Sequence, residues 1–533
     1  MRKNLKYIVA IILIIIFTFS VVPKSFQNDT FYTIELGRCI IQNGIDWQDH
    51  YSIHKDLEYT YPHWAFDVIN FKIFNFFGFN GVYIFTQIFA SVFVLFVFWN
   101  MLRKEIDFKL AFISTLVVSF LMRYTFYSRG QIISYSIFLL EYILLENFVQ
   151  RPTFFKTLAL IVLSCLMANI HSTAWIFMLI LILPFIGEQI VYAYSLKGIN
   201  ERLLRKYTRK LKNAKKKCFS EEKIMKIEKE IKHQEEFKIK HENNFKERKI
   251  IINKNERIKE IWVAVLALII GALFTPIRFT PFLYFFQTKI GNSLNYINEH
   301  LPIVPANSLE FLSYTIIIVS MLGFTKSKLK LSDGFLILGL YLMAMSGRRN
   351  VYLLVGLTAG IVVKMIDDFI KDNNCNYSNK KSFKFLIVIS SVSIIASFYF
   401  NIKKINEPFL LKNMYPVNAV DFIKKNYDYK NMRIFNKYEY GSYMLMNNIP
   451  VFIDSRCDLY NPEFNKNVNV FNDYMKVIID GIATISDLMD KYKLKYALVP
   501  LGEFENVYMS ENEKYKELYR DDYFIFYQYD LNY

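Results

Sequence analysis

Signatures of the familiar soluble enzymes are missing from this chain. It has no glycine-rich phosphate loop, no nucleophile elbow, and no kinase or ATPase motif. The five cysteines, Cys39, Cys165, Cys218, Cys375 and Cys457, form no C-x-x-C pair. Only Cys39 and Cys457 are predicted to lie outside a membrane, where they could meet, and no spacing rule supports a bridge between them. Unpaired thiols are therefore favoured.

Long apolar runs are what the chain has instead. Of its 533 residues, 53% are hydrophobic and 17% are aromatic. The apolar residues are concentrated in runs of about 18 or more, long enough to cross a bilayer as helices. The runs predict an α-helical polytopic membrane protein with about eleven transmembrane helices. They lie near residues 7–22, 81–101, 110–124, 131–149, 156–190 (two short spans, broken at 169–172), 261–275, 308–325, 333–346, 350–368 and 383–400.

The positive charge is unevenly placed and indicates how the chain is oriented. The formal net charge is +17, and residues 196–260 alone hold 22 Lys or Arg against 11 Asp or Glu. Basic segments between spans remain in the cytoplasm, so we read residues 195–260 as a cytoplasmic helical insertion and do not expect nucleic-acid binding. The N-terminus is then cytoplasmic, and both the first outer loop (23–80) and the tail from 401 are extracytoplasmic.

The chain is thus predicted to have two domains, a transmembrane domain over residues 1–400 and an extracytoplasmic domain over 401–533. In the tail, short apolar strands are predicted within 433–436, 451–454, 496–501 and 523–529, with helical patterns between them. This alternation predicts a small α/β domain with a mostly parallel sheet.

The first outer loop is the richest in groups that could carry chemistry. Asp29 follows the first span closely, and a carboxylate held there can accept a proton from a hydroxyl. The alternative is that Asp29 caps a helix containing Glu35. His50 and His54 have the i, i+4 spacing that would place two imidazoles on one helical face for a divalent metal. The Glu of a zincin motif is absent, so a metal site is the less favoured interpretation and no residue is assigned as a metal ligand. His50, His54 and His63 are favoured as groups that form hydrogen bonds or contact a sugar.

Arginines form the second candidate group, because outer arginines run against the usual charge bias of loops. Arg129, Arg278, Arg348 and Arg349 all fall at the predicted outer face, where guanidinium groups would bind a lipid phosphate. The alternative is snorkelling or an ion pair with Glu299.

Two further clusters have competing interpretations. Asn169 and His171 interrupt an apolar segment, which indicates a cavity or, equally, a hydrogen bond between helices. Asp454, Arg456 and Asp458 follow a predicted strand, where open α/β sheets bind ligands. A salt-bridged strand end that docks the domain is the favoured interpretation.

Several motifs together resemble a family of bacterial multi-span membrane proteins. They are DTFYTIELG (29–37), DHYSIH (49–54), YPHW (61–64), ANIH (168–171), INEHLP (297–302), MAMSGRR (343–349), AVDFIKKN (419–426), IFNKYEYGSY (434–443) and VFIDSRCDLY (451–460). They cover nearly the whole chain apart from the basic insertion. The family usually has Gly before the Arg of the last motif, where this chain has Ser455.

That family is similar to the GT-C superfamily of glycosyltransferases that use polyprenyl-phosphate sugars. The resemblance implies a protein of the bacterial cytoplasmic membrane that moves a sugar from a polyprenyl-phosphate donor to a glycan or other envelope acceptor. It assigns the catalytic base to an acidic residue of the first outer loop, which is Asp29 here, with Glu35 or Asp49 as the fallback. A non-catalytic scaffold for envelope assembly and a transporter of lipid-linked glycans are the alternatives.

Overall fold

A computed structural model of the chain describes residues 2–246, 250–252, 258–290, 296–325, 328–373, 381–466, 468–479, 481 and 483–531. Helices dominate the first 405 residues. They are α1 (Arg2–Val21), α2 (Asn28–Asn43), α3 (Trp64–Arg103), α4 (Phe108–Leu121), α5 (Gln131–Gln150), α6 (Phe154–Ile170), α7 (Ile176–Ile180), α8 (Leu183–Tyr194), α9 (Leu196–Lys216), α10 (Glu221–Lys246), α11 (Ile261–Leu273), α12 (Thr280–Ile290), α13 (Leu309–Phe324), α14 (Leu331–Ser346), α15 (Asn350–Asp372) and α16 (Lys381–Ile405).

The apolar runs of the sequence form helices of a membrane protein. Within the described residues, four helical segments are long and apolar enough to cross a bilayer. They are Trp64–Arg103, Gln131–Gln150, Ser172–Tyr194 and Ile387–Ile405. Shorter apolar helices coincide with the other predicted spans, including Phe108–Leu121 and Ile261–Leu273. The number of spans and their orientation stay predictions.

Two irregularities interrupt these helices, and the second lies at the break predicted for residues 169–172. α3 bends sharply at Gly78, which has a φ of 60°. Glycine adopts this positive φ with little strain because it has no Cβ. The bend separates an amphipathic first part of α3 from its apolar remainder. α6 ends at Ile170, and a 3-10 turn at Ser172–Ala174 follows before the chain crosses back through α7 and α8.

The basic insertion forms a pair of helices, α9 and α10, that pack against each other. The Asn200 side-chain amide donates to the Gln234 backbone carbonyl at 3.0 Å and to its side-chain oxygen at 2.9 Å. Lys215 and Glu228 form an ion pair at 2.9 Å. After the pair, β1 (Ile250–Ile251) runs parallel to β2 (Leu329–Lys330) just before α14.

The tail carries a four-stranded sheet with the order β3-β4-β6-β5. Its elements are α17 (Val417–Asn426), β3 (Ile434–Phe435), α18 (Tyr438–Met446), α19 (Val470–Ile478), α20 (Ile485–Lys491), β4 (Tyr496–Pro500), α21 (Phe504–Ser510), β5 (Tyr515–Arg520) and β6 (Phe524–Tyr529). The prediction of a mostly parallel sheet is wrong. Only β3 and β4 pair in parallel within this sheet, while β6 is antiparallel to both β4 and β5. The short β5–β6 connection explains this, because a tight turn can join only antiparallel strands.

The first outer loop and the tail share one hydrophobic core. Phe31 of α2 packs its ring edge-on against Tyr415 at 4.9 Å and against Tyr443 at 5.4 Å. Val451 forms isolated parallel bridges with both Ser52 and Ile434. The segment predicted as a strand at 451–454 therefore contributes only these bridges, which connect the first outer loop to β3. The bundle has a separate core. The tail therefore sits on the end of the bundle that carries the first outer loop, here called the domain end.

Candidate active site

A polar cavity of about 160 Å³ lies between the domain end of the bundle and the tail. Widely separated parts of the sequence line it, from the start of α2 to the segment after Val451. Its charged and imidazole lining groups are Asp29, His63, Arg129, His171, Lys289, Glu299, His300, Arg349, Arg456 and Asp458. The cavity is larger than one water molecule needs and is rich in polar partners, so it is hydrated.

Asp29 enters this cavity from the first turn of α2. The N-cap of α2 is Gln27, which makes no side-chain capping bond, and Asp29 lies within the first turn. Asp29 is therefore not the cap of this helix. A carboxylate in the first turn is still favoured by the helix dipole. Gly37 fixes α2 against α3, because a Cβ there would lie 2.0 Å from the Asp67 carbonyl oxygen.

Arg129 joins two carboxylates across the cavity. Its guanidinium forms an ion pair with Asp29 and a second one, at 3.2 Å, with Glu299. Burial raises the pKa of Asp29, and Arg129 offsets only part of that rise. Arg129 lowers the pKa of Glu299 to about 2. At neutral pH Glu299 is thus firmly ionised, and Asp29 is the better proton acceptor of the two.

Two imidazoles lie near Arg129, that of His171 from the break after α6 and that of His63 from the residue before α3. Gly130 allows this, because a Cβ there would lie 2.7 Å from the Ile170 carbonyl oxygen. The rings of His63 and His171 are 5.0 Å apart, and His171 Nδ1 lies 2.7 Å from the Ser134 hydroxyl. Burial lowers the pKa of His63 to about 4 and that of His171 well below its usual value. Both imidazoles are therefore neutral at physiological pH.

One wall of the cavity is cationic. An Arg349 guanidinium N–H donates to His300 Nε2 at 3.5 Å, and burial together with Arg349 lowers the pKa of His300 to about 3. Lys289, near the end of α12, also lines this wall. Within the described part of the chain, neither Lys289 nor Arg349 forms an ion pair with a carboxylate. This wall is therefore suited to an anion that comes from outside the protein.

The tail contributes a buried ion network and one cavity carboxyl. Arg456 Nη1 lies 2.7 Å from Asp49, and Nη2 lies 2.7 Å from Asp454, with all three side chains fully buried. The Tyr460 hydroxyl donates to Asp454 at 2.7 Å. Asp458 lines the cavity, and burial raises its pKa to about 7.

Other predicted site residues lie outside the cavity and have partners elsewhere. Glu35 pairs with Arg38 at 3.3 Å, and His50 lies 2.6 Å from Asp46. The residues concerned are Glu35, Asp49, His50, His54, Asn169, Arg278, Arg348 and Asp454.

Four of them have partners that hold them away from the cavity. His54 Nε2 donates to the Phe452 carbonyl at 2.9 Å, within a segment that is not helical, so His50 and His54 do not share a helical face. Arg278 stacks over the Trp47 ring at 4.5 Å. Arg348 donates to Asn298. Asn169 accepts from the Trp64 indole at 2.9 Å, which is the helix–helix hydrogen bond considered above.

Sequence reasoning missed Lys289 and His300. His300 stands in the INEHLP motif beside Glu299, and its place in that motif was the only available signal. Lys289 belongs to α12, which the sequence analysis treated as loop.

The divalent metal considered from sequence does not fit these groups. Across the described ranges, no group of three or more His, Cys, Asp or Glu side chains is arranged to hold a metal ion. Two of the acids that line the cavity, Asp29 and Glu299, share a guanidinium instead.

Comparison with solved structures shows a related fold. The chain is similar to an oligosaccharyltransferase of Archaeoglobus fulgidus, whose crystal structure has an acceptor peptide with an NVT sequon tethered by a disulfide bond. The TM-score is 0.54 at 11% sequence identity, over 93% of this chain and 69% of the other. This supports the predicted GT-C-like resemblance at the level of fold. No family model matches the sequence, and no curated protein matches it.

Proposed function

We propose that the protein is a membrane glycosyltransferase that moves a sugar from a polyprenyl-phosphate-type donor to an acceptor hydroxyl. The observation that carries the proposal is the cavity at the domain end, where Asp29 and a cationic wall face the same hydrated space. The likeness to an oligosaccharyltransferase fold is consistent with it, although fold alone does not determine chemistry.

Asp29 is assigned as the general base. Its raised pKa gives its carboxylate more affinity for a proton than an exposed aspartate has. Arg129 orients that carboxylate and is itself held by Glu299, so the three side chains act as one positioned unit. Glu35 and Asp49 are less suitable, because neither of them lines the cavity.

The cationic wall is assigned to the donor phosphate. Arg349 and Lys289 can bind its oxygens and stabilise the negative charge that develops as the lipid phosphate leaves. The acceptor oxygen forms a bond to the anomeric carbon, the bond from that carbon to the phosphate oxygen breaks, and the acceptor proton passes to Asp29. Attack from the side opposite the phosphate inverts the anomeric centre.

Replacing Asp29 by Asn tests the assignment. The amide keeps the shape of the side chain but cannot accept the proton, so we expect transfer to fall by 10²-fold or more, a loss of about 3 kcal/mol of transition-state stabilisation. The measurement is release of lipid phosphate from polyprenyl phosphate carrying a tritium-labelled hexose, with purified protein in liposomes. Asp56→Asn, an exposed change in the same loop, is the matched control.

Three results would overturn the proposal. Wild-type activity in the Asp29→Asn variant would remove the base assignment. Movement of the labelled lipid between leaflets without a new glycosidic bond would favour a transporter. Binding of an envelope protein with no turnover of any donor would favour a scaffold.

A further inference from the structure

The basic insertion plays no part in the cavity, yet one of its helices carries an organised cationic surface. Arg202, Arg205, Lys206 and Arg209 all lie on α9, are exposed, and border one concave pocket. Their spacing of three, one and three residues puts them on a single side of the helix. We call these four residues the α9 cation face.

The other side of α9 is occupied by α10. Asn200 is buried and bonds to Gln234, and Ala214 is buried near the far end of the helix. Both positions lie about half a turn away from the cation face. The cation face is therefore directed away from the contact between the two helices.

The chain turns sharply where α8 meets α9. Ser195 has an extended backbone with φ −71° and ψ 153°, and its hydroxyl accepts from the Gly198 N–H at 3.1 Å. A Cβ at Gly198 would lie 2.0 Å from the Tyr192 carbonyl oxygen, so this close fold-back requires a glycine. α9 therefore does not continue along the axis of α8.

Arg202 shows which way the cation face points. Its guanidinium donates to the backbone carbonyl of Ala193, nine residues earlier. In one continuous helix those residues would be about 13 Å apart along the axis, too far for this bond. The side of α9 that bears the four cations is thus the side that meets the end of α8.

The end of α8 is an end of the membrane-spanning part. Ser172–Tyr194 is one of the apolar helical segments long enough to cross a bilayer, and it leads from the cavity to Tyr194. Tyr194, Leu196 and Ile199 are large and exposed at the junction, with Tyr194 at 78%. Exposed aromatic and aliphatic groups beside a row of arginines are typical of a helix that rests on a lipid surface.

We propose that the α9 cation face binds the anionic headgroups of phospholipids at the leaflet opposite the cavity. The predicted topology puts that leaflet on the cytoplasmic side. Each cation near an anionic surface increases binding about fivefold, or about 1 kcal/mol. The proposal does not use the cavity and is independent of the proposed function.

Hydrogen exchange of the full chain in lipid nanodiscs tests the proposal. We expect the amides of α9 to exchange at least about fivefold more slowly in discs containing phosphatidylglycerol than in discs of phosphatidylcholine alone. This comparison uses the unmodified protein, so it does not depend on how a variant folds. Changing all four residues of the cation face to Gln should remove the difference between the two disc types.

The matched control changes four exposed lysines of α10, Lys226, Lys229, Lys232 and Lys240, to Gln. It removes the same charge from the same helix pair and should leave the protection of α9 intact. Equal exchange in both disc types would overturn the proposal, as would an equal loss of protection in both variants. Protection by added RNA in neutral discs, without protection by phosphatidylglycerol, would overturn it in favour of a nucleic-acid surface.

Discussion

At the scale of single residues, Asp458 has the most informative titration. Burial raises its pKa to about 7, whereas the pKa of an aspartate in the unfolded chain is about 3.9. Between those values the folded state keeps a proton that the unfolded state has lost. Stability contributed by this group is therefore present at low pH and is lost as pH rises toward 7.

Replacing Asp458 by Asn should remove this pH dependence. The variant and the wild type should unfold at the same temperature near pH 4, and the variant should unfold at a higher temperature above pH 7, because Asn carries no charge to bury. Thermal unfolding in detergent across that range measures the effect. Asp421→Asn, at an exposed position of α17, should show no such trend. A constant difference between variant and wild type at every pH would contradict the prediction.

The sequence identified several cavity residues and misassigned others for a clear reason. Asp29, Arg129, Glu299 and Arg349 could be selected because charged groups at the ends of apolar runs are rare and need partners. Arg278 and Arg348 also lie at the ends of apolar runs, but their partners, Trp47 and Asn298, lie outside the cavity. The conformation of the loops decides which arginine side chain points into the cavity, and the spacing of residues in the sequence does not reveal that conformation.

At the scale of elements, the buried Arg456 network joins the first outer loop to the tail. Arg456 is the only described partner that neutralises Asp49 in the structure, and it also pairs with Asp454. Without the guanidinium, two carboxylates would remain in a site closed to water, and burying unpaired charge is costly. The network therefore matters more for holding these elements together than its two ion pairs suggest.

Replacing Arg456 by Met should lower the free energy of unfolding by about 3–5 kcal/mol, because it leaves both acids unpaired. Arg456→Lys should be intermediate, since an ammonium cannot reproduce the forked contact. Arg520→Met is the control: Arg520 pairs with Glu517 at 2.6 Å, but both side chains are exposed, so a change below about 1 kcal/mol is expected. Denaturant unfolding of purified protein gives the comparison. Equal losses of unfolding free energy in Arg456→Met and Arg520→Met would contradict the prediction.

Element positions were easier to predict than pairing in the tail. The apolar runs gave the strands at Tyr496–Pro500 and Phe524–Tyr529 nearly to the residue. The sheet direction was wrong because alternation of helix and strand favours parallel pairing, while the short β5–β6 connection overrides it. The contact of Val451 with Ser52 spans most of the chain, and nothing local in the sequence signals it.

At the scale of the whole molecule, orientation in the membrane is the prediction that most needs a test. Cys218 is exposed at the turn between α9 and α10, and Lys516 is exposed on β5. The charge bias puts the first in the cytoplasm and the second outside. In a chain whose other cysteines are Ser, an impermeant maleimide should label Cys218 only after cell lysis. Lys516→Cys should be labelled in intact cells, and the reverse pattern would invert the topology.

The cavity also sets a condition on biosynthesis. Its acid from the first outer loop, Asp29, precedes almost all of the bundle, whereas Asp458 and the loop around it follow the whole bundle in the sequence. The cavity therefore forms only after the segment around Asp458 has been synthesised. A chain that ends after the bundle but before residue 458 would lack part of the cavity lining.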